Sequence, residues 1–193
     1  MLLSLAYLKN LVRDPNIASI TPTSRFGVAR VCGKMDFSSA RAVVEYGPAT
    51  GVFTKYLLRH LGSNARVFAF ETNGGFHKVL TETVQDPRLT VFHETCELAP
   101  TRLREHGFEY ADYVISGIPF SFLDPDLADR IVKNTKELLR PGGKFLVYQF
   151  LKPEKETNRG IHRYLPVHFS EVHKEAEWLN IPPLSVYEAV RTA

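Results

Sequence analysis

The sequence predicts a single α/β domain. It reads as a seven-stranded, mostly parallel sheet closed by a C-terminal antiparallel hairpin and preceded by N-terminal helices. Three observations support this. From residue 41 onward, short apolar runs alternate with amphipathic helical patterns, as in a parallel sheet covered on both faces. The first run leads directly into a glycine turn and a helix, Val43-Val44-Glu45-Tyr46-Gly47-Pro48-Ala49-Thr50-Gly51 followed by residues 52–61. Near the C-terminus, two alternating stretches flank Asn180-Ile181-Pro182-Pro183 in the manner of a hairpin. With 193 residues the chain suits one sizeable core, so residues 1–193 are read as one domain, with 1–36 as N-terminal helices and 41–193 as the main body.

In order, residues 1–13 place Leu3, Leu5, Tyr7, Leu8, Leu11 and Val12 on one helical arc, with Lys9, Asn10 and Arg13 opposite. Asp14-Pro15 ends that pattern. Such a helix suits either a membrane interface or a lid over its own domain. Thr21-Pro22-Thr23-Ser24-Arg25 offers a hydroxyl cap for a helix over 26–34. Strands are expected near 42–46, 66–70, 89–93, 112–116 and 143–150. Helices are expected near 51–61, 74–84, 97–106 and 124–139, with Pro141-Gly142-Gly143 stopping the last. The hairpin strands fall at 170–179 and 184–191.

Hydrophobic content of 44% and charged content of 23% are ordinary for a globular protein. There is no apolar run long enough to cross a bilayer and no cleavable signal peptide, so the expected location is cytoplasmic. Cys32 and Cys96 suggest neither a disulfide framework nor a metal site, and the seven histidines lack ligand spacing. The net charge is +3, and residues 1–36 carry all of it: Lys9, Arg13, Arg25, Arg30 and Lys34 against Asp14 and Asp36. That asymmetry suits an anionic surface, lipid or nucleic acid, or else a solvated helix face.

The glycine turn narrows the chemistry. A dinucleotide fingerprint would need glycines where Ala49 and Val52 stand. An acid-x-Gly-x-small-x-Gly turn, Glu45 to Gly51, instead resembles the first motif of the class I S-adenosylmethionine (SAM) methyltransferases, which have a Rossmann-like fold. Glu71 follows Gly51 by 20 residues at the end of the second strand, where such folds place the acid that holds ribose hydroxyls. On this reading Glu45, Gly47, Ala49 and Gly51 hold the methionine end and Glu71 the ribose. Glu94 and Thr95, in the His93-Glu94-Thr95 corner, border the adenine, and Ser116 closes the site. The turn Ser116-Gly117-Ile118-Pro119-Phe120 faces the methyl acceptor. Tyr46, Phe120 and Tyr148 offer aromatic faces to a cationic product. No residue stands out as a dedicated general base.

That turn resembles the Ser-Gly-Leu-Pro turn of the bacterial soluble-type phospholipid N-methyltransferases. The likeness extends to Leu8-Lys9-Asn10, Ile20-Thr21-Pro22-Thr23-Ser24-Arg25, Leu139-Arg140-Pro141-Gly142-Gly143, Tyr148-Gln149-Phe150, and Trp178-Leu179-Asn180-Ile181-Pro182-Pro183 with Val186-Tyr187. Ala49 departs from the family's usual glycine, and Tyr46 and Ile118 from its leucines. The resemblance implies stepwise methylation of phosphatidylethanolamine by an enzyme held peripherally on the inner face of the cell membrane. It implies that residues 1–13 meet anionic lipid, and that Arg159, His162 and Arg163 meet the headgroup phosphate. Two alternatives stay open. One is a ribosomal RNA adenine N6-dimethyltransferase, against which stand Ser116 in place of Asn and the absence of an RNA-binding C-terminal domain. The other is a SAM-binding or membrane-associated protein without turnover.

Overall fold

The computed structural model describes residues 23–151 and 160–192. The expected helix over 1–13 and Arg159 lie outside the described residues. Helix α1 (Arg25–Cys32) starts at Ser24, whose hydroxyl accepts from the Gly27 N–H at 3.2 Å, as the cap pattern predicted. There follow β1 (Ala42–Tyr46), α2 (Val52–His60), β2 (Arg66–Phe70), α3 (Gly74–Thr83) and β3 (Leu89–Phe92). The expected helix over 97–106 is a 3-10 turn (Cys96–Leu98) running into α4 (Ala99–Glu105). Then come β4 (Ala111–Ser116), α5 (Pro125–Leu138), β5 (Leu139–Phe150), the short α6 (Leu165–His168), β6 (Glu171–Glu177) and β7 (Leu184–Val190).

The seven strands lie in the order β3-β2-β1-β4-β5-β7-β6. Strands β1 to β5 are parallel, and β7 pairs antiparallel with β5 and β6. The chain moves outward from β1 through β2 to β3, then returns to place β4 on the other side of β1. That reversal falls between β1 and β4, and open α/β sheets bind ligands beyond the carboxyl ends of the strands at such a point.

Successive side chains on a strand face opposite layers, and β1 shows this clearly. Val43 packs with α1 and α2 side chains such as Val28, Phe53 and Leu57. Val44 and Tyr46 pack on the other face with Leu103, Ile131 and Val132 of α4 and α5. Glu45 therefore points toward α2.

One boundary differs from the sequence expectation. Strand β5 begins at Leu139, before Pro141-Gly142-Gly143 rather than after it. Pairing jumps from Ala111 opposite Leu139 to Tyr113 opposite Lys144, so the Pro-Gly-Gly forms a bulge inside the strand. The stop to α5 comes earlier, where Leu139 turns to extended backbone.

Among the described residues, two of the three cations of the N-terminal segment, Arg30 and Lys34, are paired with carboxylates of the fold. Lys34 Nζ lies 2.6 Å from Glu175 and 3.1 Å from Glu188, and Arg30 Nε lies 3.0 Å from Glu177. These pairs fasten α1 and the residues just after it to β6 and β7. Arg25 and Arg30 are both exposed, and the Arg25 guanidinium lies 4.7 Å from the Phe26 ring centroid.

Candidate active site at the strand carboxyl ends

The turn after β1 is held by hydrogen bonds to its neighbours. Gly47 N donates to Phe70 O at 2.9 Å, Gly51 N to Pro48 O at 2.8 Å, and Gly117 N to Tyr46 O at 3.1 Å. The tips of β1, β2 and β4 are thereby tied together. Gly51 has φ +77°, and a Cβ there would stand 2.5 Å from Leu80 Cδ1, so the position needs glycine for both conformation and space. Ala49 also has positive φ, +49°. Its N–H donates to Glu71 Oε2 at 3.0 Å, and that bond holds a small residue in a conformation that most side chains avoid.

Glu71 sits at the tip of β2, 6% exposed, and its other oxygen accepts from Asn73 N at 2.8 Å. Two backbone N–H groups thus aim the carboxylate from β2 toward the glycine turn. Glu45 is 2% exposed. Thr54 of α2 donates to its Oε2 at 2.6 Å, while its Oε1 is buried with no hydrogen-bond partner. Burial pushes the Glu45 carboxyl up to about 7; the Thr54 hydroxyl offsets part of this and the Glu71 charge adds to it. A buried oxygen without a donor costs on the order of 1–3 kcal/mol. The arrangement therefore suits a cation or donor arriving from outside the chain.

The remaining expected residues divide. Tyr148 stacks on Phe53, with centroids 4.4 Å apart and planes 22° apart. Its hydroxyl lies so close over Gly117 that a Cβ there would be 2.3 Å away. The structure therefore brings Tyr148 and the Ser116-Gly117 turn together. Ser116 is fully buried, and its Oγ accepts from Ile118 N at 3.3 Å, so it holds the turn.

Phe120 is a correction. Its ring is 0% exposed inside the core that contains Ala128 and Ile161, and it presents no face to an acceptor. Tyr46 is likewise buried on the α5 face, with Thr135 Oγ1 3.3 Å from its hydroxyl, because strand alternation turns it away from Glu45. Glu94 is held two-pronged by Arg102, with Nε at 2.7 Å. Thr95 caps the 3-10 turn by accepting from Glu97 N at 3.4 Å. Both adenine-edge candidates thus already have partners in the chain.

Sequence reasoning missed Thr54 and Arg102. Thr54 could have been found as the one hydroxyl in the first turn of the helix that follows Gly51. Arg102 carried no local signal.

Residues 28–176 match the FtsJ-like methyltransferase family. This chain belongs to that family. The methyltransferase uses SAM as its methyl donor. Among relatives, it is 28% identical over 172 residues to the ornithine lipid N-methyltransferase of Singulisphaera acidiphila, covering 89% of this chain and 86% of that protein. Among solved structures it resembles an O-methyltransferase from Bacillus cereus in complex with S-adenosylhomocysteine, with TM-score 0.67, 15% identity, 97% of this chain and 90% of that one. It also resembles fibrillarin from Aeropyrum pernix with natively bound SAM, with TM-score 0.62, 18% identity, 84% of this chain and 73% of that one. Those two likenesses concern the fold, and they agree with the seven-stranded arrangement the sequence predicted.

The residues present fit the donor. The orphaned Glu45 oxygen suits the ammonium of its methionine part, and Glu71, aimed across the glycine turn, suits ribose hydroxyls. Gly47, Ala49 and Gly51 leave the backbone bare for close approach.

Proposed function

We propose that this methyltransferase acts on the primary amine of a membrane lipid headgroup, of the phosphatidylethanolamine or ornithine-lipid kind, from a peripheral position on the cytoplasmic face of the membrane. The carrying observation is the acceptor-side turn. Ser116 and Gly117 form it beneath the Tyr148 hydroxyl, with no side-chain amide or carboxylate to accept from a nucleobase amine. The lipid N-methyltransferase named among the relatives, aligned over most of both chains, supports the same substrate class.

Bound SAM supplies an electrophilic methyl group on a sulfonium. The chain's own residues position and hold. Glu45 and Glu71 balance the donor's positive charge and fix its ribose. Gly117 keeps the turn thin where the acceptor approaches, and Tyr148, clamped by Phe53, sets the width of that approach. Orienting the amine in line with the methyl group and away from bulk water provides much of the acceleration such a transfer needs.

The test is incubation with labelled SAM and vesicles holding phosphatidylethanolamine, ornithine lipid or neither, followed by lipid chromatography. Label in mono-, di- or trimethylated headgroups is expected. Label confined to RNA, or absent from every lipid, overturns the proposal.

A further inference from the structure

The turn joining β6 to β7 reverses the usual sorting of side chains. Trp178, Leu179 and Ile181 are 68%, 63% and 81% exposed, while Glu177 just before them and Asn180 among them are buried. Single exposed apolar residues are ordinary, but a contiguous group of large ones marks a contact surface.

The group has a fixed position. Leu184, at the start of β7, pairs with Phe150, two residues beyond Tyr148 on β5. The turn therefore projects from the same sheet edge as the glycine turn and the Ser116-Gly117 turn.

It is also rigidly framed. Asn180 Oδ1 accepts from Ser24 N at 2.7 Å, and Glu177 Oε1 accepts from Leu179 N at 2.8 Å while its Oε2 accepts from Arg30 Nε. These bonds do more than hold the shape. Ser24 Oγ donates to Leu179 O, Asn180 Nδ2 to Pro182 O, and Leu151 N to Pro183 O. Pro182 and Pro183 have no N–H. Many of the turn's backbone polar groups are thus satisfied inside the protein, which is the condition for putting irregular backbone against lipid.

Charge points to the same partner. Exposed Arg25 follows the Ser24 that bonds the turn, and residues 1–22, which precede Thr23 in the sequence, hold Lys9 and Arg13 against Asp14. Cations beside an apolar tip complement an anionic bilayer surface.

We propose that the β6–β7 turn is a membrane-inserting wedge. Trp178, Leu179 and Ile181 enter the interface of an anionic bilayer and bring the carboxyl edge of the sheet against the headgroups. Its purpose rests on the lipid-amine reading above, but its test does not. The indole of Trp178 suits the headgroup level, and Leu179 and Ile181 the acyl boundary.

Trp178 is the single tryptophan of the chain, so the unmodified protein reports directly on the turn. Its emission is recorded with vesicles of phosphatidylcholine alone or mixed with phosphatidylglycerol, and with lipids brominated on their acyl chains. With phosphatidylglycerol present, the expected result is a blue shift, quenching by brominated lipid and protection from acrylamide. Leu179→Ser combined with Ile181→Ser is expected to weaken vesicle binding about tenfold. Methyl transfer to lipid dispersed in detergent should stay within about twofold of the parent. Absence of vesicle binding, or binding that leaves Trp178 open to acrylamide, overturns the wedge, as does an unchanged affinity in the double variant. If Trp178 is quenched by brominated lipid but no lipid is methylated, the wedge stands and the lipid-amine reading falls. Methylated lipid with Trp178 still in water gives the reverse.

Discussion

Asp112 and Glu45 are buried carboxylates on adjacent strands, and the fold treats them in opposite ways. Asp112, at the amino end of β4, accepts from Arg41 N at 2.7 Å, Ala42 N at 3.0 Å and Arg140 Nε. Burial works to raise its pKa, yet the Ala42 N–H, the Arg140 guanidinium and the Arg41 N–H together hold it below the ordinary carboxylate range. Glu45, at the carboxyl end of β1, has one donor and one bare oxygen, and burial raises it to about 7. At one end of the sheet the protein completes the electrostatics by itself. At the other it leaves one buried oxygen without a hydrogen-bond partner, which the ammonium of the methyl donor is proposed to supply. Scaffold and site can thus be told apart by how well each acid is satisfied.

The largest expected effect tests the site end. Glu71→Ala removes the carboxylate shared by Ala49 N and Asn73 N. SAM affinity should fall about 100-fold by calorimetry, and affinity within threefold of the parent would break the assignment of Glu71 to the ribose. Asp112→Asn, at the scaffold end, should lower stability by about 2 kcal/mol in urea unfolding, the Arg140 pairing being discounted because that guanidinium is 43% exposed. SAM affinity should not move; a loss would erase the distinction between the two ends.

Gly117→Ala drives a methyl group into the Tyr148 hydroxyl, and the stack on Phe53 leaves the ring little room to yield. A kcat about tenfold lower, with SAM affinity kept, is expected; a fall in affinity alone would move the contact to the donor side.

The smallest effect is the sharpest in sign. Because the folded-state pKa of Glu45 is raised from 4.5 to about 7, its favourable contribution is complete below pH 4.5 and is lost as pH rises through 7. Glu45→Gln should therefore stabilise the protein by about 1 kcal/mol at pH 8 and leave Tm unchanged near pH 4.5. For Asp112 the sign is opposite, its contribution present above the ordinary carboxylate range and lost as pH falls.

Much of the fold was legible because its signals are local. The runs at 42–46 and 66–70 match β1 and β2, and Ser24 caps α1 where a hydroxyl was expected. The start of β5 was not legible, because the bulge at Pro141-Gly142-Gly143 depends on pairing with β4, thirty residues away in sequence. In the site, Glu45, Gly47, Gly51 and Glu71 follow one another at a spacing set by the strand–turn–helix unit itself. The aromatics failed for a different reason. Their place in the strand–turn pattern puts Tyr46 and Phe120 near the strand tips but does not say which layer covers them, and both lie in the core beside α5. Arg30 and Lys34 counted as surplus charge until β6 and β7 supplied their carboxylates from far along the chain.

The insertion of β7 between β5 and β6 has a consequence for biosynthesis. During translation β6 leaves the ribosome before β7, yet among the described strands its sole neighbour is β7. A nascent chain that has produced every candidate site residue therefore still carries an open β5 edge, with the backbone N–H and C=O groups of Phe145, Leu146 and Val147 waiting for β7. Long-range pairing of this kind is slow and exposed to aggregation. The ribosome-bound intermediate is accordingly the stage at which a chaperone has most to hold.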